Sequence, residues 1–180
     1  MLDREERIRA FVAVLPPESV ARDMERLLDR LRPLARCRWV TRAQLHVTLR
    51  FLGELPPSAV DRVRLGLAEV NVEPFEIELN RAGAFPNLDR PRALWLAGDR
   101  GMTELTDLAR RVDDALFALG IAREERPFRP HLTLARSDGA PPPQDLLEAL
   151  RGVPSFFWRC TGFSLMRSRL TPGGAVYTKL

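Results

Sequence analysis

The chain predicts an α+β fold of antiparallel sheets with helices packed outside them. Short apolar or alternating runs that read as strands are interleaved with amphipathic stretches at helical spacing. The loops between them are too short and too few for a regular βαβ series. A four-residue pattern, His46-Val47-Thr48-Leu49, also returns as His131-Leu132-Thr133-Leu134, 85 residues later in a chain of 180, which suggests a duplicated unit.

Taken in order, residues 8–15 are rich in β-branched and aromatic side chains and stop at Pro16-Pro17, as a buried strand does. From 18 to about 35, Val20, Met24, Leu27, Leu28, Leu31 and Leu34 recur at helical spacing, and Pro17 suits the first turn. Trp39 and Val40 form a short extended piece before a turn opens at Thr41. Residues 45–52 are the first motif strand, which Gly53 ends. Strict alternation puts His46, Thr48 and Arg50 on one face and Val47, Leu49 and Phe51 on the other.

Pro56-Pro57-Ser58 opens a second helix with Val60, Val63, Leu67 and Val70 inward, and 75–79 alternates as a strand that 82–85 extends. Residues 93–97 are a short, fully apolar strand. A helix over 102–119 is ended by Gly120. The second motif strand, 131–136, precedes a proline-rich loop, a short helix at 145–150, and strands near 155–166 and 175–180. No stretch reads as a linker, so residues 1–180 are expected to form one domain.

Composition narrows the function. Of 28 basic residues 27 are arginine, and the net charge is +4, which favours anionic, phosphate-bearing partners. Lys179 is the only lysine, one residue from the end. That excludes a P-loop, which needs Gly-Lys-Ser/Thr, and a ligase that carries adenylate on an internal lysine. Cys37 and Cys160 are too few for a disulfide framework or a zinc knuckle, so a reduced, cytoplasmic setting is expected. The mixed-charge start and the short apolar run behind it suit neither a signal peptide nor a membrane span.

The two motifs hold the only histidines. With 8 Thr and 28 Leu in the chain, chance places Thr and Leu behind both with odds on the order of one in 10⁴. Histidine exchanges protons near neutral pH, so two of them across a cleft supply a general base and a general acid. That pairing suits displacement at phosphorus. Thr48 and Thr133 lie two positions on, about 6–7 Å along the strand, where a hydroxyl can donate to a phosphate oxygen. Neither motif has a second histidine or an acidic residue within two positions, so no metal site is expected. At the fifth position after each histidine stand Phe51 and Arg136, an aromatic ring and a guanidinium plane, both able to stack on nucleobases. Alternation turns both away from the histidines unless a bulge brings them back. Arg50, Phe128 and Arg129 are further candidates for the cleft rim.

The paired His-x-Thr-Leu motifs resemble the signature of the two-histidine (2H) phosphoesterases. The flanking Phe11-Val12-Ala13-Val14-Leu15-Pro16, Leu52-Gly53, Phe85-Pro86, Pro91-Arg92-Ala93-Leu94-Trp95-Leu96, Arg126-Pro127-Phe128-Arg129-Pro130 and the tail 165–180 resemble its RNA 2′,3′-cyclic phosphodiesterase branch, long called 2′-5′ RNA ligases. The resemblance spans nearly the whole chain. It implies a bilobal fold of two pseudo-symmetric antiparallel sheets with the site in the groove between them, and no metal or nucleotide cofactor. It also implies metal-independent hydrolysis of a terminal 2′,3′-cyclic phosphate to a 2′-phosphate, with ATP-independent ligation as a minor activity. His131 would be the base and His46 the acid, although the residues alone leave these roles interchangeable. Thr48, Thr133 and Arg136 would hold the phosphate. RNA ends or small cyclic nucleotides are the expected partners of a monomer. A non-catalytic RNA- or nucleotide-binding module, or an enzyme for other cyclic or 2′-5′-linked nucleotides, are the alternatives.

Overall fold

The computed structural model describes residues 7–180; the expectation of a mixed-charge N-terminus falls largely on residues outside this range. The strands are β1 (Ile8–Val14), β2 (Arg38–Trp39), β3 (Val47–Leu55), β4 (Phe75–Leu79), β5 (Arg81–Phe85), β6 (Ala93–Ala97), β7 (Leu132–Arg136), β8 (Phe156–Cys160), β9 (Ser164–Thr171) and β10 (Gly174–Lys179). The helices are α1 (Glu18–Leu31), α2 (Pro57–Ala68), α3 (Met102–Ala118) and α4 (Gln144–Arg151).

Each helix forms where its apolar stripe repeats. Along α1 that stripe is Met24, Leu27, Leu28 and Leu31, all buried. The helix is shorter than the expected 18–35. Pro33 has no amide hydrogen to donate, and residues Arg32–Leu34 tighten into a 3₁₀ turn. The core beneath includes Val12 and Val14 of β1, Leu96 of β6, Leu105 and Leu108 of α3, and Leu132 and Leu134 of β7. None of the helices of the described residues is long and apolar enough to cross a membrane.

The main sheet runs β10-β9-β1-β3-β7-β6-β5, with β2 also paired to β7, and the pairs in it are antiparallel. It has two four-stranded halves, each built on one motif strand. They meet through a single register pair, Val47 with Leu132. The two lobes are therefore joined edge to edge at the motifs. The smaller sheet pairs β4 with β8.

Several boundaries differ from the sequence expectation, for identifiable reasons. β3 continues through Gly53 to Leu55, because Gly53 at φ +67° takes a left-handed conformation within the strand, opposite Ala10. Residues 82–85 do not extend β4: the chain breaks at Asn80, and β5 leaves for the main sheet beside β6. The single strand expected over 155–166 divides around Gly162 into β8 and β9, which belong to different sheets.

Candidate active site

The motif strands depart from strict alternation at the same place. Along β1, Ala13 pairs with Thr48 and Val12 with Arg50, so Leu49 is an extra residue in β3. Along β6, Trp95 pairs with Thr133 and Leu94 with Ala135, so Leu134 is extra in β7. Each leucine of the repeated motif is thus a one-residue bulge, and both leucines are buried. Beyond a bulge the faces exchange. Phe51 comes opposite Phe11, and Arg136 opposite Ala93, on the faces that carry the two threonines. The bulge required to bring both fifth-position residues to the histidine side is present in both strands.

The same bulge corrects the placement of Arg50, which alternation put beside His46. It pairs with Val12 and turns toward α3. There its Nε donates to Asp113 Oδ1 at 2.7 Å, and its Nη1 lies 3.6 Å from Glu124. Further bonds run to the carbonyls of Phe51 and Ala122. This guanidinium ties the strand to α3 and the following loop.

A turn sets the first histidine. Thr41 and Gln44 form a capping box over the 3₁₀ turn Arg42–Gln44. The Thr41 amide donates to Gln44 Oε1 at 2.8 Å, and Gln44 Nε2 donates to the Ala175 carbonyl of β10 at 2.6 Å. The Gln44 carbonyl, held in place this way, accepts from His46 Nδ1 at 2.7 Å. His131 repeats the arrangement, with Nδ1 donating to the Arg129 carbonyl at 2.6 Å. A carbonyl only accepts, so Nδ1 carries the hydrogen in both rings and each neutral imidazole keeps its lone pair on Nε2. His46 Nε2 lies 2.9 Å from Thr48 Oγ1.

Aromatic rings hold the imidazoles from the side. Phe11 lies 4.9 Å from His46, and Tyr177 meets it edge-on at 5.3 Å. Phe85 meets His131 edge-on at 4.9 Å. Trp95 backs Phe85 in turn, its ring 5.1 Å away. Sequence reasoning gave Gln44, Tyr177 and Trp95 no role in the site, since their part is to support and their partners lie on other strands.

Burial pushes both histidines below their ordinary value of 6.5, outweighing the backbone bonds that raise them. The positive charge of Arg136 lowers both further, and His131 acts on His46 in the same direction. Each ring therefore lies within reach of the same charges. A groove of about 620 Å³ opens beside His131, lined in part by Thr48, Phe51, Phe85, Phe128 and Arg129, while His46 lines a smaller pocket of about 170 Å³ with Phe11 and Tyr177. Phe51 is 49 % exposed, an open ring rather than part of the core. Arg129 lies 6.0 Å over the Phe85 ring. Phe128 and Arg129 therefore belong to the rim, and Arg50 also lines the groove. Among the described residues, no three His, Cys, Asp or Glu side chains cluster as they would around a metal ion.

Residues 16–172 match the model of the 2′-5′ RNA ligase superfamily. The RNA 2′,3′-cyclic phosphodiesterase of Archaeoglobus fulgidus is 34 % identical over 174 residues, covering 96 % of this chain and 98 % of that one. The protein of the same name from Thermus thermophilus is 37 % identical over 180 residues, covering 96 % and 88 %. Among solved structures, E. coli LigT complexed with 3′-AMP superposes with a TM-score of 0.78 at 27 % identity, covering 97 % of this chain and 96 % of that one.

Proposed function

The chain belongs to the 2′-5′ RNA ligase superfamily, and from that premise we propose that it hydrolyses a 2′,3′-cyclic phosphate at the end of RNA to a 2′-phosphate. It is a phosphodiesterase, as its relatives' shared name has it. The observation that supports the mechanism best is the matched pair of imidazoles, each with Nδ1 bound to a carbonyl two residues back, so that Nε2 is the basic nitrogen of both, facing the Thr48 hydroxyl in His46.

In this reading His131 Nε2 takes a proton from water as its oxygen attacks phosphorus. The bond from phosphorus to the 3′ oxygen breaks, and His46 gives that oxygen its Nε2 proton. A 2′-phosphate and a free 3′-hydroxyl result. Thr48 and Thr133 donate hydroxyl hydrogens to the non-bridging oxygens, and Arg136 supplies positive charge. Both histidines sit below their ordinary value, which suits the base. The acid gains its proton when the anionic substrate arrives, because negative charge beside an imidazole raises its pKa.

A 5′-hydroxyl in place of water would give a 2′-5′ linkage without ATP. Water at about 55 M makes hydrolysis the main outcome. The same reading takes the protein to act as a monomer in the cytoplasm, where Cys37 and Cys160 would stay reduced.

The test is incubation of adenosine 2′,3′-cyclic phosphate, and of an oligoribonucleotide with the same end, in EDTA. The expected product is the 2′-phosphate, formed at a rate EDTA does not change. A 3′-phosphate product, or activity lost in EDTA and restored by zinc, overturns the mechanism. Binding without turnover makes the protein a recognition module.

A further inference from the structure

Several arginines of this chain are held by acidic partners: Arg50 by Asp113, Arg123 by Asp114, Arg126 by Glu124. Arg38 and Arg136 are instead set against each other. They face each other as a register pair between β2 and β7. Directly opposed residues of an antiparallel pair point to the same side, with Cα atoms about 4.5–5.5 Å apart. Their neighbours in the ladder, Trp39 and Ala135, point the other way and pack into the core. Both arginines are exposed, and neither guanidinium has a hydrogen bond or ion pair to another described residue. Like charges directly opposed in a ladder are destabilising, and an anion between them removes the repulsion.

The pair also has a direction. β3 and β7 touch only at Val47 and Leu132, beside the histidines, and then diverge. β2 takes over the edge of β7 that β3 leaves. Along one face of β7 come His131, Thr133 and, past the bulge, Arg136 with Arg38 beyond it. Phe51 stands on β3, on the other side of the join.

We propose that Arg38, opposite Arg136, forms a second phosphate site that holds the phosphodiester on the 5′ side of the terminal nucleotide, so that the protein favours RNA over a free cyclic nucleoside phosphate. This rests on the reading of the site given above. An RNA that ends in a 2′,3′-cyclic phosphate has chain only on its 5′ side. The next phosphate is therefore always that one, and a cyclic nucleoside phosphate with a 5′-hydroxyl lacks it.

The experiment compares adenosine 2′,3′-cyclic phosphate with the dinucleotide that carries one more phosphate, ApA 2′,3′-cyclic phosphate. Wild-type kcat/KM is expected to be about tenfold higher on the dinucleotide, the size of one charge-assisted contact. Arg38→Ala should remove that advantage through KM while leaving the mononucleotide within twofold, and Arg38→Lys should restore part of it. Added salt should narrow the gap between substrates in the wild type and leave the Arg38→Ala ratio unchanged. No preference in the wild type, a preference that survives Arg38→Ala, or an equal loss on both substrates overturns the proposal. If the wild type turns over neither substrate, the phosphodiesterase reading itself fails.

Discussion

Val47 faces Leu132 in the one register pair that joins the two motif strands, and each is the residue directly after a motif histidine. Because the pair is antiparallel, the chain enters it from opposite directions in the two strands. The two histidines therefore flank it, one from each half of the sheet. An approximate two-fold relation through this pair accounts for the repeated motif, the matched Nδ1 bonds and the matched bulges at Leu49 and Leu134.

If the imidazoles divide acid and base work, losing either one stops the reaction. His46→Ala and His131→Ala are each expected to lower kcat by at least about 10²–10⁴-fold. Both rings are half-buried rather than sealed in the core, so far-UV circular dichroism should stay close to wild type. Activity at a few tenths of wild type in either variant would be incompatible with the pairing.

The depressed histidine pKa values set how the protein responds to acid. Unfolded, each imidazole binds a proton as pH falls through about 6.5; folded, burial delays this to lower pH. Between the two values the unfolded chain holds more protons, so this contribution to stability is complete above about 6.5 and is lost as pH falls through the folded values. The urea midpoint should therefore drop between pH 7 and pH 5 more in wild type than in a His46→Asn/His131→Asn double variant. Removing the Arg136 charge acts the other way. Arg136→Gln should move the acidic limb of the kcat/KM profile upward, because that charge lowers both rings. It should also raise KM. A limb that stays in place would separate Arg136 from the site.

The repeat singled out the two histidines and two threonines, and the structure sets both histidines beside the one pair that joins the motif strands. The fold class was legible from periodicity, as the stripe along α1 shows. Alternation failed at Leu49, because a bulge depends on which partner residues it must skip, and those lie on β1, distant in sequence. Arg50 was misplaced for that reason. Gln44 was invisible as a support for His46 because its side chain reaches Ala175, 131 residues away. The break at Asn80 was hidden because β4 and β5 follow each other with one residue between, and only their different sheets separate them.

Phe51 tests whether the groove reads a base. Stacking of a base on an aromatic ring contributes about 1–3 kcal/mol. Phe51→Ala should thus raise KM for adenosine 2′,3′-cyclic phosphate about five- to 150-fold with little change in kcat, since the ring lies away from the proton transfers. The same variant should handle ribose 2′,3′-cyclic phosphate without a base as the wild type does. Equal losses on both substrates would show that Phe51 supports Phe11, whose ring lies 6.2 Å away, rather than binding a base.

Arg50 is expected to act through structure. Its side chain is 10 % exposed and that of Asp113 16 %, so the pair is largely withdrawn from water. Removing one partner strands the other charge, which costs about 3 kcal/mol in such surroundings. Arg50→Met should therefore lower stability by about that amount, while Arg50→Met with Asp113→Leu recovers much of it. Arg123 also bonds Asp113, at 3.2 Å, and Asp114, at 2.7 Å, so the double variant leaves that arginine one of its two partners. The chemical step is untouched, and kcat of the folded single variant should remain within a few-fold of wild type, measured well below its melting temperature. A loss of kcat comparable to that of His46→Ala, in a variant shown to be folded, would place Arg50 in the chemistry rather than in the support.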